Sequence, residues 1–200
     1  MTHILFLPGA GGAAAFWHPL GALLPSEWRK TYLNWPGLGH EQHLPGLDSF
    51  KALLNYAAQH LEQRSVIVAQ SMGGIFAARL ALQYPERVNR LVLTATSGGI
   101  RVKDFNMADW RAEYRAEYPR AAAWITGDSP DYTREIGRIR APTLLLWGDA
   151  DPISPVAVGE HLRELLPDAR LHVVPGGDHA LARDRATEIA PLVAAHITRN

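Results

Sequence analysis

Val66-Ile67-Val68-Ala69-Gln70-Ser71-Met72-Gly73-Gly74 is an apolar, β-branched run that stops at a serine, with small side chains two residues to either side. The run reads as a buried strand, and the apolar stretch from Met72 to Tyr84 reads as a helix that Pro85 ends by pushing its predecessor out of the helical region. A serine between the two sits on a sharp turn, which lifts its hydroxyl above the carboxyl edge of a sheet. Small residues at 69 and 73 let such a turn close, with Ala69 standing where glycine is more usual. The competing reading of Ser71 is an ordinary helix cap. The clean strand before it favours a nucleophile.

Outward from this turn the alternation repeats. Short apolar runs at 4–7, 31–35, 65–69, 90–95, 143–147 and 171–174 are interleaved with helical stretches at 16–24, 49–63, 72–84, 156–166 and 187–198. This is the pattern of βαβ units around a mostly parallel sheet. Leu144-Leu145-Leu146-Trp147 is apolar at every position, as expected of a strand covered on both faces. Pro25 and Pro167 end the helices before them. The expected fold is α/β, a three-layer sandwich of about six mostly parallel strands with helices on both faces.

Composition narrows the function. The chain has 200 residues, 20 basic and 20 acidic side chains, no cysteine and 47% hydrophobic residues, which fits one globular domain spanning 1–200. Zero net charge gives no electrostatic reason for a nucleic-acid or anionic-membrane partner, so a small molecule is expected. Without cysteine, disulfides, thiolate metal sites and a thiol nucleophile are excluded. No apolar run approaches the roughly 18 residues of a membrane span. The Met1-Thr2-His3-Ile4 start lacks the basic stretch of a signal peptide, and a cytoplasmic location is expected.

One segment departs from the alternation. Between the strands ending near Ala95 and beginning near Thr143 lie Phe105, Trp110, Tyr114, Tyr118, Trp124 and Tyr132. Trp110, Tyr114 and Tyr118 recur every four residues, so they share one helix face. Such a stripe either packs onto the main body or roofs a pocket, and different members can do each. The segment 97–138 is expected to form a short helical cap.

With these motifs in place the chain resembles the α/β-hydrolase family over essentially its whole length. Pro8-Gly9-Ala10-Gly11-Gly12 is similar to the family's His-Gly oxyanion loop, with proline in place of histidine, and Trp17 follows where many members carry an aromatic residue. Trp35-Pro36-Gly37-Leu38-Gly39-His40 resembles the turn after the next strand. Ile139-Arg140-Ala141-Pro142-Thr143-Leu144-Leu145-Leu146-Trp147-Gly148-Asp149-Ala150-Asp151-Pro152 resembles the strand and loop that deliver the catalytic acid, and Pro175-Gly176-Gly177-Asp178-His179 the loop that delivers the base. Ser71, Asp151 and His179 follow in the family order of nucleophile, acid, base. The leading antiparallel hairpin of larger members has no counterpart before the first strand, so a trimmed core is expected.

The resemblance implies roles. Ser71 needs a base, which His179 supplies, and Asp151 would fix the imidazole tautomer. The N–H groups of Ala10 and Met72 are the expected oxyanion donors. Asp149 competes for the acid role, although the spacing from Gly148 selects Asp151, and Asp178 reads as a turn residue. The loose His40 and His43 pair does not make a metal motif, and neither metal nor cofactor is expected. His18, near the oxyanion loop, could touch substrate but reads better as a surface residue.

The expected activity is hydrolysis of a small, largely apolar ester or thioester through an acyl-enzyme. Phe16, Trp17, Met72, Ile100, Trp110, Trp124 and Ile153 are the expected pocket residues. Carbon–carbon bond hydrolysis, cofactor-free elimination and peracid formation are alternatives on the same triad, and a ligand receptor without turnover is a third class.

Overall fold

The computed structural model describes residues 1–199. Six strands, β1 (His3–Leu7), β2 (Arg29–Tyr32), β3 (Ser65–Gln70), β4 (Val88–Thr94), β5 (Thr143–Gly148) and β6 (Ala169–Val174), form one sheet in the order β2-β1-β3-β4-β5-β6. Every pairing is parallel. Because side chains alternate along a strand, each central strand feeds two cores. Leu5, Leu7, Ile67, Ala69, Leu91, Leu93, Leu145 and Trp147 point to one face. Ile4, Phe6, Val66, Val68, Val92, Leu144 and Leu146 point to the other.

Helices α2 (Phe50–Gln59), α3 (Met72–Gln83) and α5 (Val156–Leu165) cover the first face. The short α1 (His18–Leu23) and α6 (Leu181–Asp184) cover the second together with α7 (Ala186–Thr198). The arrangement is an open, all-parallel sheet between two helical layers, which puts every strand's carboxyl end on one edge of the sheet. Among the described residues, no helix is long and apolar enough to cross a membrane.

Several boundaries differ from those expected for local reasons. The strand expected at 31–35 pairs only as far as Tyr32, because Trp35 then gives its backbone N–H to the Gly12 carbonyl at 2.8 Å instead of to the ladder. The stretch expected to be one helix at 16–24 begins as a 3₁₀ turn, Ala14–Trp17, before α1. α2 starts where the Ser49 hydroxyl accepts the Ala52 N–H at 3.3 Å. Ala95, expected to close β4, has φ 46° and turns the chain out of the sheet.

Between β4 and β5 the chain makes an excursion with one short helix, α4 (Arg111–Glu117), and two 3₁₀ turns, Ala123–Thr126 and Ile136–Arg138. The aromatic stripe straddles α4: Trp110 precedes it, Tyr118 follows it, and Tyr114 is buried between them. Their ring centroids are 5.5 Å and 4.9 Å apart in succession.

Candidate active site

Ser71 occupies the junction of β3 and α3 with φ 52° and ψ −123°, a conformation that L residues rarely adopt. The neighbours explain how it persists. Its N–H donates to the Thr94 carbonyl at 3.0 Å, and its own carbonyl accepts the Gly74 N–H at 2.9 Å and the Thr96 hydroxyl at 2.5 Å. A side chain at Gly73 would meet the Leu7 and Pro8 carbonyl oxygens at 2.5 Å, so α3 approaches β1 closely only because that position lacks one.

Three side chains from different strand ends converge here. His179 Nε2 lies 3.0 Å from Ser71 Oγ, and His179 Nδ1 lies 2.8 Å from Asp151 Oδ2. The carboxylate of Asp151 is fully buried, and its other oxygen accepts the Ile153 N–H at 2.8 Å and the Ser154 N–H at 3.1 Å. Both carboxylate oxygens are therefore used, as a buried charge requires. Gln70, beside the serine, donates its side-chain amide to the His179 carbonyl at 3.1 Å. Asp149 turns away: it accepts the Gly176 N–H at 2.6 Å and braces the loop that carries the histidine. Asp178 closes its own turn on the Ala180 N–H at 2.8 Å.

The serine and histidine open into a cavity of about 700 Å³, and Ala10 and Met72 border the same space. Among the described residues, neither the Ala10 N–H nor the Met72 N–H donates to an acceptor. A half-buried serine on a strand–helix turn, hydrogen-bonded to a histidine that is itself bonded to a buried aspartate, has the parts that hydroxyl attack on a carbonyl would need.

A family model described as the alpha/beta hydrolase fold matches residues 2–124 and 100–185. The chain belongs to the alpha/beta hydrolase fold family. Among related sequences, it is 26% identical to the pimeloyl-[acyl-carrier protein] methyl ester esterase of Nitrosomonas europaea, with 88% of each chain covered. It is also 26% identical to a 2-hydroxy-6-oxononadienedioate/2-hydroxy-6-oxononatrienedioate hydrolase of Paraburkholderia phymatum, covering 83% of this chain and 75% of that one. Among solved structures, the esterase EaEST of Exiguobacterium antarcticum superposes with a TM-score of 0.81 at 15% identity, covering 98% of this chain and 92% of that one. The two sequence relatives bear the names of hydrolases of different substrates.

In this hydrolase-fold chain Phe16, Met72, Trp110, Trp124 and Ile153 border the cavity beside the serine. Two expected pocket residues do not. Trp17 is completely buried in the opposite core, 5.5 Å from the Phe6 ring, because the 3₁₀ turn points it into the sheet while Phe16 faces the site. Ile100 is buried among the core residues of the first face and does not border the cavity. His18 lies edge-on to Tyr32, outside the cavity. His43 sits 2.7 Å from the Arg120 carbonyl and His40 packs against Tyr118, so each has a partner in the excursion. Among the described residues, no group of three or more His, Asp or Glu side chains comes together as a metal site.

Thr96, Gln70 and Phe50 border the cavity without a place among the residues expected there, and Tyr114, expected only as part of the aromatic stripe, borders it as well. Gln70 had a signal in its adjacency to Ser71; Thr96 had none, because it acts across the gap between two strand ends. Burial holds the Tyr114 phenol above its ordinary range, and burial with the neighbouring Glu117 pushes Tyr118 up to about 12.

Proposed function

We propose that the protein is a serine hydrolase that cleaves a small, largely apolar ester or thioester through an acyl-enzyme. The observation that carries this reading is the continuous chain Asp151–His179–Ser71, with bonds of 2.8 Å and 3.0 Å, ending on a cavity whose lining includes Phe16, Phe50, Met72, Trp124 and Ile153 together with charged side chains. In this reading 97–138 is a cap over a single domain, the substrate is a small molecule rather than nucleic acid or membrane, and the neutral, cysteine-free composition goes with a cytoplasmic setting.

The steps follow from the geometry. Ser71 Oγ attacks the carbonyl carbon while its proton passes to His179 Nε2. Asp151, fixed by two backbone amides, holds Nδ1–H and stabilises the imidazolium. The negative charge on the carbonyl oxygen is met by the Ala10 and Met72 N–H groups, whose other acceptor would be water. Collapse expels the alcohol or thiol, which takes the proton from His179. Water, deprotonated by the same imidazole, then attacks the acyl-serine and releases the acid and the free hydroxyl.

The test is turnover across p-nitrophenyl esters and acyl thioesters of graded chain length, with Ser71→Ala as control. Loss of about 10⁴-fold or more in kcat in the folded alanine variant is expected. Equal turnover by Ser71→Ala would exclude the mechanism.

A further inference from the structure

Ala10 lies between Gly9 and Gly11, so the backbone that presents its N–H has little stiffness of its own. Its geometry has to be held by hydrogen bonds. The Trp35 indole donates to the Pro8 carbonyl at 2.7 Å, the Gly12 N–H to the Gly9 carbonyl at 3.1 Å, and the Trp35 N–H to the Gly12 carbonyl at 2.8 Å. All three bonds come from the turn itself or from the loop after β2.

The Ala10 carbonyl is held from a different part of the chain. Tyr114, in the middle of α4, donates its hydroxyl to that oxygen at 2.8 Å and accepts the Gly39 N–H at 3.0 Å. Gly39 has φ 56° and packs its α-carbon directly on the Gly11 backbone, which leaves no room for a side chain. The hydroxyl thus sits where the oxyanion turn, the β2–α2 loop and the excursion meet. The same loop and excursion are joined twice more, by the Ala122 N–H on the Gly37 carbonyl at 2.8 Å and by His43 Nε2, 2.7 Å from the Arg120 carbonyl.

We infer that Tyr114 is a positioning residue for the oxyanion turn, so that the turn's competence depends on how α4 is seated above it. The inference rests on the serine-hydrolase reading. The Ala10 carbonyl and the Gly11 N–H share one rigid peptide plane, so fixing the carbonyl fixes the plane next to the Ala10 N–H. That plane ends on Gly11, and the plane that carries the Ala10 N–H starts on Gly9, so loss of the Tyr114 anchor leaves the Gly12 bond to the Gly9 carbonyl to aim the donor alone, and an oxyanion donor works only if it is aimed before the charge develops. The Tyr114 side chain is buried and its phenol is held above the ordinary range, so it donates throughout any neutral or mildly alkaline assay.

Tyr114→Phe keeps the ring and removes the anchor. The measurement is kcat per serine that labels to completion with a fluorophosphonate, so that only folded sites count. The expected result is a fall of about 10- to 100-fold in kcat with KM within about twofold of wild type. Affinity for a boronic acid that adds to Ser71 should fall by the same factor as kcat. A purely structural tyrosine would lower the melting temperature and leave kcat per labelled serine and boronate affinity at wild-type values, which would overturn the inference. Wild type and Ser71→Ala are assayed alongside. Turnover surviving in Ser71→Ala removes the hydrolase reading itself, whereas an inactive Ser71→Ala with an unimpaired Tyr114→Phe removes only the role of Tyr114.

Discussion

The Thr96 hydroxyl donates to the Ser71 carbonyl at 2.5 Å and accepts the Gly98 N–H at 3.0 Å, joining the end of β4 to the turn that carries the serine. Thr96 is 2% exposed, so water does not replace it. Thr96→Val preserves the shape and removes both bonds, leaving the Gly98 N–H without its acceptor. The expected cost is about 1–3 kcal/mol in urea unfolding, with kcat reduced about tenfold as the serine loses its fixed direction. Thr96→Ser, which keeps the hydroxyl, should retain most of the activity. Equal stability and rate in wild type and the valine variant would show the bond to be incidental.

The backbone conformation of Ser71 makes a separate claim. At φ 52° and ψ −123° a residue with a β-carbon is strained, and strain of this kind costs about 1–3 kcal/mol. Ser71→Ala and Ser71→Gly both lack the hydroxyl, but only glycine relieves the strain. Ser71→Gly should therefore be more stable than Ser71→Ala by about 1 kcal/mol after its larger unfolded-state entropy is counted. Calorimetry on the two variants reads the difference directly; an alanine variant more stable than the glycine one by the full entropy difference would mean that the turn is unstrained.

Two aspartates near the histidine are separable by substitution. Asp151→Asn keeps an oxygen for the Ile153 and Ser154 N–H groups but turns an amide N–H toward His179, selecting the wrong tautomer. A loss of about 10⁴ in kcat is expected with the fold retained. Asp149→Asn can still accept the Gly176 N–H and should change kcat by less than about tenfold. Comparable losses in both variants would assign the acid role to the loop rather than to Asp151.

Adjacent aromatic residues should also part company. Trp17→Ala empties a fully buried site between Phe6 and the helices of the second face, and should cost about 3–5 kcal/mol of stability. Phe16→Ala, at the cavity wall, should change KM and the preferred acyl length with a smaller loss of stability. Unfolding curves and a chain-length series on both variants test this; a Trp17 variant that is fully stable but altered in acyl preference would reverse the assignment.

What the sequence made legible follows from range. Strands buried on both faces announce themselves by continuous apolarity, and the strand–serine–helix context of Ser71 needs only nine consecutive residues, Val66 through Gly74. The convergence of Asp151 and His179 was readable because each follows a strand in a parallel sheet, whose ends share one edge. Trp17 is expected at the pocket from its distance along the chain after the Pro8–Gly12 loop, and distance along the chain does not say which of two adjacent rings faces the site: in the 3₁₀ turn Ala14–Trp17 it is Trp17 rather than Phe16 that enters the core. The Tyr114 hydroxyl was invisible for another reason. The four-residue spacing puts its ring on one helix face with Trp110 and Tyr118, but the partners of its hydroxyl, Ala10 and Gly39, are contributed by loops remote in sequence.

Stability should depend on pH through a residue far from the chemistry. His3 is buried beside Ser65 Oγ and Thr31 Oγ1, each 2.9 Å from a ring nitrogen. Burial first, then the charge of Arg29 and the nearby His60, lowers its pKa from 6.5 to about 4. The unfolded chain therefore takes up a proton below pH 6.5 that the folded chain refuses until about pH 4. The stabilisation from a neutral His3 is complete above 6.5, declines between 6.5 and about 4, and changes no further below that. His3→Gln, an uncharged side chain with both donor and acceptor, should be somewhat less stable near neutrality but lose less stability across this window. Urea unfolding of the two proteins at about pH 7, 5.5 and 4.5 gives the comparison. Parallel pH slopes would show that His3 titrates normally in the folded protein.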